Sequence, residues 1–196
     1  MLKFLGAAVV LACTMFPVAT ADEASQAEMT QIGPMVGDTV PEFTLLGTDR
    51  APLTLAGISG DKGAVLVFSR SLDWCPFCKT QAVDLKTAAA PLAEAGWALN
   101  LVTYDDAEIL AAFADDRDLT YRLLSDPESA AIDALSLRNT DMRAGSKFDG
   151  VPHPGILFLS PDGTVRAFLR EEGYRDRPPV ERVLETARLL NVSFPD

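Results

Sequence analysis

Cys75 and Cys78 offer the most chemistry in this chain. Two residues separate them in Trp74-Cys75-Pro76-Phe77-Cys78, after an apolar run that reads as a buried strand and where a helix begins. The first turn of a helix carries unpaired N–H groups and the positive end of the backbone dipole. A thiolate on Cys75 is stabilised there, so its pKa falls and it becomes nucleophilic near neutral pH. Cys78, one turn along, can attack a mixed disulfide on Cys75, release the partner and close a redox-active Cys75–Cys78 disulfide. Pro76 fits the first helical position, where its missing N–H costs nothing. Trp74 supplies a flat apolar rim on which a partner can dock.

His153-Pro154 is the second informative pair, and His153 is the one histidine. It reads as a plain loop residue, a proton donor near Cys75, or a metal ligand. A proline that ends a loop and opens a strand is often cis, and Pro154 is expected to be so. Two thiolates and an imidazole suit Cu(I) or Zn(II), which makes a metallochaperone using Cys75, Cys78 and His153 an alternative. A structural zinc site needs four ligands and only His153 is left beside the pair, so no resident metal or other cofactor is expected. A binding domain that keeps its fold without catalysis is a further alternative. Arg70, Arg138 and Arg143 are candidates to stabilise a thiolate. Asp73 reads as a proton relay or a solvated loop acid. Asp105-Asp106 and Asp115-Asp116 have side chains that point apart and read as helix caps and solvated faces.

The elements that must hold these residues follow from periodicity. Val40–Leu46 reads as a short edge strand, and Leu53–Leu55 as another extended piece. Ala64–Phe68 and Ala98–Thr103 are continuous apolar runs, the mark of strands buried on both faces. A helix is expected from Pro76 to about Ala90, with Phe77, Val83, Leu85 and Ala89 on its apolar side. Helices are also expected through Ile109, Leu110 and Phe113, over Pro127–Leu137, and from Pro178-Pro179 to Leu190. Gly155–Leu159 and Thr164–Leu169 form a hairpin across Ser160-Pro161-Asp162-Gly163. The result is an α/β fold with a mixed central sheet and helices on both faces.

The chain has 196 residues, 48% hydrophobic and 23% charged, with a net charge of −11. That suits one domain with a real core, and excludes a disordered chain or a disulfide scaffold. The acidic balance disfavours nucleic acid and anionic membrane surfaces. Residues 1–21 combine Lys3, an apolar stretch, Pro17 and Ala19-Thr20-Ala21, the plan of a secretory signal cleaved before Asp22. The apolar run is too short for a stable membrane span. Export, to the periplasm of a Gram-negative host, is expected; Val10-Leu11-Ala12-Cys13 offers lipid anchoring through Cys13 as the minor reading. Residues 22–34 read as a mobile lead-in and 35–196 as the domain.

Val36-Gly37-Asp38-Thr39-Val40-Pro41-Glu42-Phe43-Thr44-Leu45, the strand before WCPFC, and VPHPGILFLSPDG together resemble thioredoxin-fold redoxins of the alkyl hydroperoxide reductase C/thiol-specific antioxidant (AhpC/TSA) superfamily, peroxiredoxin-like members included. The resemblance covers roughly Met35 to Arg170. It implies a thioredoxin-like fold, Pro154 as a cis-proline opposite Cys75, Cys75 in the place of a peroxidatic cysteine, and Cys78 as the resolving one. It also implies an oxidoreductase acting on a peroxide or a disulfide, with a thiol carrier protein as electron donor. The peroxiredoxin pattern Pro-x-x-x-Thr/Ser-x-x-Cys is not kept: Phe68 stands at its proline and Leu72 at its hydroxyl residue, with Ser71 one place out of register. The Pro-Phe dipeptide between the cysteines is similar to the Pro-Tyr of glutaredoxins, which implies a mid-range redox potential.

Overall fold

The computed structural model describes residues 31–173 and 175–193. The signal segment 1–21, Cys13 within it, and lead-in residues 22–30 lie outside the described residues. In chain order the strands are β1 (Thr44–Leu46), β2 (Pro52–Thr54), β3 (Gly63–Phe68), β4 (Trp97–Thr103), β5 (Arg122–Ser125), β6 (Gly155–Leu159) and β7 (Val165–Leu169). The helices are α1 (Leu55–Ile58), α2 (Pro76–Asp84), α3 (Lys86–Glu94), α4 (Ala107–Asp116), α5 (Ala130–Ala134) and α6 (Val180–Ser193). They build one seven-stranded sheet in the order β2-β1-β5-β4-β3-β6-β7. The centre, β5-β4-β3, is parallel; β6-β7 and β1-β2 extend it antiparallel on either side.

The apolar runs explain this arrangement. All of β3 and β6 are buried, and their side chains alternate between two cores. Val65, Val67, Leu101, Ile156 and Phe158 face one way, against Ala82 of α2, Leu92 of α3, Leu110 of α4 and Val183 of α6. Leu66, Phe68, Val102, Leu124 and Leu157 face the other way, against Ile58 of α1 and Ile132 of α5. The expected mixed sheet with helices on both faces is therefore the one observed.

Several details differ from the sequence expectation. The helix after Cys75 is two segments that meet at Leu85 rather than one, and Pro91 within α3 cannot donate a backbone hydrogen bond. Its buried side is marked by Cys78, Ala82, Leu85, Ala88 and Leu92, while Phe77 and Val83 are 42% and 38% exposed. Spacings of three and four residues from Cys78 select that stripe, and Phe77 and Val83 fall off it. The edge on that side is β2, not β1, because β5 pairs with β1. β5 itself has no counterpart in the sequence reading. The packed body starts ahead of Met35: Ile32 packs on the second core, and Gly33 N–H donates to Ser136 O at 2.9 Å.

Gly63 opens the strand that leads to the dithiol, and its φ of +129° is a value side chains rarely adopt. A β-carbon there would lie 1.9 Å from the Leu159 carbonyl oxygen, a backbone atom that cannot step aside. Gly63→Ala should therefore lower stability by about 2 kcal/mol or more, read as a shift in a urea unfolding midpoint at unchanged slope.

Candidate functional site

β3 and β4 are parallel, with Phe68 opposite Val102, so their carboxyl ends lie side by side. In such sheets the loops at that end carry the chemistry. The chain leaves β3 at Ser69, whose N–H donates to Val102 O at 2.9 Å. The loop that follows is held by one carboxylate. Asp105, just beyond β4, accepts the Ser71 hydroxyl at 2.7 Å, the Leu72 N–H at 2.6 Å and the Thr103 hydroxyl at 2.9 Å. Its own carbonyl takes the Ser125 hydroxyl at 2.6 Å. Ser71 Oγ in turn accepts the N–H groups of Asp73 at 3.0 Å and Trp74 at 3.3 Å. The loop so fixed delivers Cys75 to the N-cap of α2.

Cys75 has the extended backbone of a cap (φ −95°, ψ 105°), and Pro76 starts the helix behind it. Cys75 Sγ accepts the N–H of Cys78 at 3.3 Å, the contact that the helix-terminus reading of this cysteine requires. The two cysteines form a disulfide with a Cα–Cα separation of 5.3 Å, and both are buried. The rim over them is aromatic and cationic. Trp74 Nε1 donates to the Tyr104 hydroxyl at 3.0 Å, and that hydroxyl donates to Lys147 O at 2.6 Å. Phe148 meets Trp74 edge to face at 4.8 Å, and the Arg70 guanidinium lies 4.8 Å from the Trp74 ring centroid. Behind the pair, Arg177 Nη2 donates to Cys78 Sγ at 3.4 Å.

The electrostatics follow from burial. Desolvation raises the Asp105 carboxyl above its ordinary range, opposed by the hydrogen bonds from Ser71, Leu72 and Thr103. Burial also raises Tyr104, offset in part by its bond from Trp74. Arg177 is lowered to about 10, first by burial and then by the nearby charge of Arg70, so it remains a cation at neutral pH. His153 is lowered by burial and by Arg170, against the opposing pull of Asp141.

Of the residues expected at the site, Cys75, Cys78, Trp74, Pro76 and Arg70 are brought together. Arg138 is engaged by Asp133 and Asp149, and Arg143 is exposed. Asp73 is exposed on the loop surface. The peptide bond before Pro154 is trans, not cis, as are all the described peptide bonds. The reason lies in how the chain enters β6. Pro152 bridges to Arg138, and His153 N–H donates to Leu137 O at 2.7 Å. The backbone arrives already extended and needs no reversal at Pro154. His153 is half-buried, and the described residues hold no group of three His, Cys, Asp or Glu side chains able to take a metal ion. Cys75, Cys78 and His153 therefore do not assemble the cage that the metallochaperone reading asks for.

Two residues of the candidate site escape the sequence reading. Asp105 is a buried loop clamp, not a helix cap; Asp106 takes the N-cap position of α4, without a side-chain capping bond. The available signal is the place of Asp105 at the carboxyl end of a parallel strand, beside the cysteine loop. Arg177 lies 99 residues from Cys78 in sequence and leaves no local signal.

Leu72 is buried and offers the site only its backbone N–H, given to Asp105. The Ser71 hydroxyl is spent on the same carboxylate. The other hydroxyl of this stretch, that of Ser69, is buried and donates to Gln81 Oε1 at 3.5 Å.

Residues 36–168 match the AhpC/TSA family. An Escherichia coli protein named peroxiredoxin Bcp is 26% identical over 129 residues, which span 66% of this chain and 81% of that protein. Among solved structures, peroxidoxin BcpB of Mycobacterium tuberculosis superposes with a TM-score of 0.68 at 23% identity, covering 81% of this chain and 98% of that one. A peroxiredoxin-like protein of Aquifex aeolicus superposes with a TM-score of 0.69 at 17% identity, covering 82% and 90%. These two likenesses bear on the fold, which is the thioredoxin-like one implied by the sequence resemblance.

Asp105→Ala would strand the buried Ser71 hydroxyl and Leu72 N–H, and should cost about 2–4 kcal/mol in denaturant unfolding. Because the Asp105 carboxyl titrates above its usual 3.8 in the fold, the folded state holds its proton more tightly than the unfolded chain. The carboxyl's contribution to stability is thus full below pH 3.8 and falls as pH rises through the raised value. Asp105→Asn should flatten the stability–pH curve across that acid window, and an unchanged curve would contradict the assignment.

Proposed function

Because the chain belongs to the AhpC/TSA family and seats Cys75 at a helix N-terminus in a disulfide with Cys78, we propose that it is a thiol peroxidase. The buried Cys75–Cys78 disulfide at the end of β3 is the observation that carries this reading. The chain is an oxidoreductase whose working group is this dithiol. In the proposed cycle the Cys75 thiolate attacks one oxygen of a peroxide R–O–O–H. The O–O bond breaks, Cys75 becomes a sulfenic acid, and ROH leaves after taking a proton. The Cys78 thiolate then attacks that sulfur, the disulfide forms, and hydroxide leaves to be protonated to water. Two electrons from an external thiol carrier protein restore the dithiol. The N–H of Cys78, 3.3 Å from Cys75 Sγ, favours the thiolate that begins the cycle.

Disulfide exchange is the second reading. It is favoured by the loop itself, where Leu72 stands at the hydroxyl position and Ser71 is tied to Asp105. In that version Cys75 attacks a substrate disulfide in place of a peroxide. The proposal also includes export directed by residues 1–21, with the enzyme working in the periplasm. Among the described residues no helix is long and apolar enough to cross a membrane.

Stopped-flow mixing of the reduced protein with hydrogen peroxide, followed through Trp74 fluorescence, tests the peroxidase reading. The rate should far exceed that of free cysteine at the same pH and vanish in Cys75→Ser. A rate no faster than free cysteine would leave exchange as the activity. Expression in a Gram-negative host followed by N-terminal mass analysis tests export. A periplasmic protein beginning at Asp22 supports it; a lipid-modified Cys13 would replace it with membrane anchoring.

A further inference from the structure

Opening the Cys75–Cys78 disulfide must leave an electron pair on one of two buried sulfurs. The two do not have equivalent surroundings. Cys75 Sγ receives a neutral backbone N–H at 3.3 Å. Cys78 Sγ receives a guanidinium, Arg177 Nη2, at 3.4 Å. Cys78 is 0% exposed, so a thiolate there without a partner would carry a heavy desolvation cost. A charge-assisted hydrogen bond removes most of that cost.

Arg177 comes from the segment between β7 and α6 and is half-buried. Arg70, of like sign, and Asp176 beside it on the same segment both bear on it, and its Nη1 donates to the Asp176 carbonyl at 2.7 Å. While the cysteines are joined, neither sulfur offers this guanidinium a negative charge. A thiolate at Cys78 supplies one.

We propose that Arg177 is a catalytic residue of the disulfide half of the cycle, holding Cys78 as a thiolate both when the disulfide closes and when it opens. The proposal rests on the reading that this dithiol cycles between reduced and oxidised forms. On opening, a thiolate of the donor attacks Cys75 Sγ. A donor–Cys75 disulfide forms, the Cys75–Cys78 bond breaks, and the electron pair passes to Cys78 Sγ against Arg177. A second donor thiolate then attacks the donor sulfur, forming the oxidised donor and releasing the Cys75 thiolate. On closing, the same Cys78 thiolate attacks Cys75 sulfenic acid and expels hydroxide. Each sulfur thus has its own stabilising group, the helix N-terminus for Cys75 and Arg177 for Cys78.

The direct test is a titration of Cys78 in a Cys75→Ser background, following thiolate absorbance near 240 nm against pH. With Arg177 present, Cys78 should ionise below an ordinary thiol. Adding Arg177→Met or Arg177→Gln should lower the thiolate fraction at pH 7 by roughly tenfold, one pKa unit. Arg177→Lys should keep most of it, which a merely structural role would not predict. The glutamine keeps N–H donors without charge, so a folding defect in the methionine variant leaves the test intact. Identical titrations in the Arg, Gln and Lys proteins would overturn the proposal. The titration needs no peroxide, so its outcome is separate from that of the peroxidase reading. In otherwise unaltered protein given one equivalent of peroxide, Arg177→Gln should prolong the Cys75 sulfenic acid, trapped with dimedone, relative to the parent; an equal or shorter lifetime would also count against it.

Discussion

The buried carboxylate of Asp105 is the contact on which the site depends. It takes the Ser71 hydroxyl and the Leu72 N–H from one loop while standing at the end of the neighbouring strand. The parallel pairing of β3 and β4 brings those two ends together, and Asp105 fastens them. Without that fastening the buried Ser71 hydroxyl and Leu72 N–H would be left unpaired in the loop that leads to Cys75. The burial that raises its pKa also strengthens each hydrogen bond that it accepts.

Around that anchor the protein separates two tasks. The helix N-terminus addresses Cys75, and a side chain from the far end of the chain addresses Cys78. The aromatic rim of Trp74, Tyr104 and Phe148 joins the cysteine loop to Lys147 in the segment before β6. Arg70 and Arg177 stand at the dithiol among the carboxylates of Asp73, Asp105 and Asp176.

Much of this is legible in the sequence, for definite reasons. Continuous apolar runs define β3, β4 and β6 because both faces of each strand meet a core. Cysteine spacing at a strand-to-helix junction defines the site because the position confers the chemistry. β5 escapes because Arg122-Leu123-Leu124-Ser125 is short and has no alternation; its neighbours in the sheet make it a strand. Phe77 and Val83 mislead because hydrophobic residues are not confined to the core, and only the stripe through Cys78 and Ala82 reaches the sheet. Asp105 reads as a cap because capping is a local rule, whereas the loop it clamps lies more than thirty residues away. Pro154 reads as cis because nothing local reveals the Arg138–Pro152 bridge that straightens the approach to its strand.

In the proposed cycle peroxide meets Cys75, and Cys78 only resolves. Peptide mass mapping of the reduced Cys78→Ser protein after one equivalent of hydrogen peroxide tests this division most directly. A single modification is expected on Cys75, the dimedone adduct of its sulfenic acid, with the substituted position and the methionines unmodified. An unreacted Cys75, with the oxygen found elsewhere in the chain, would contradict it.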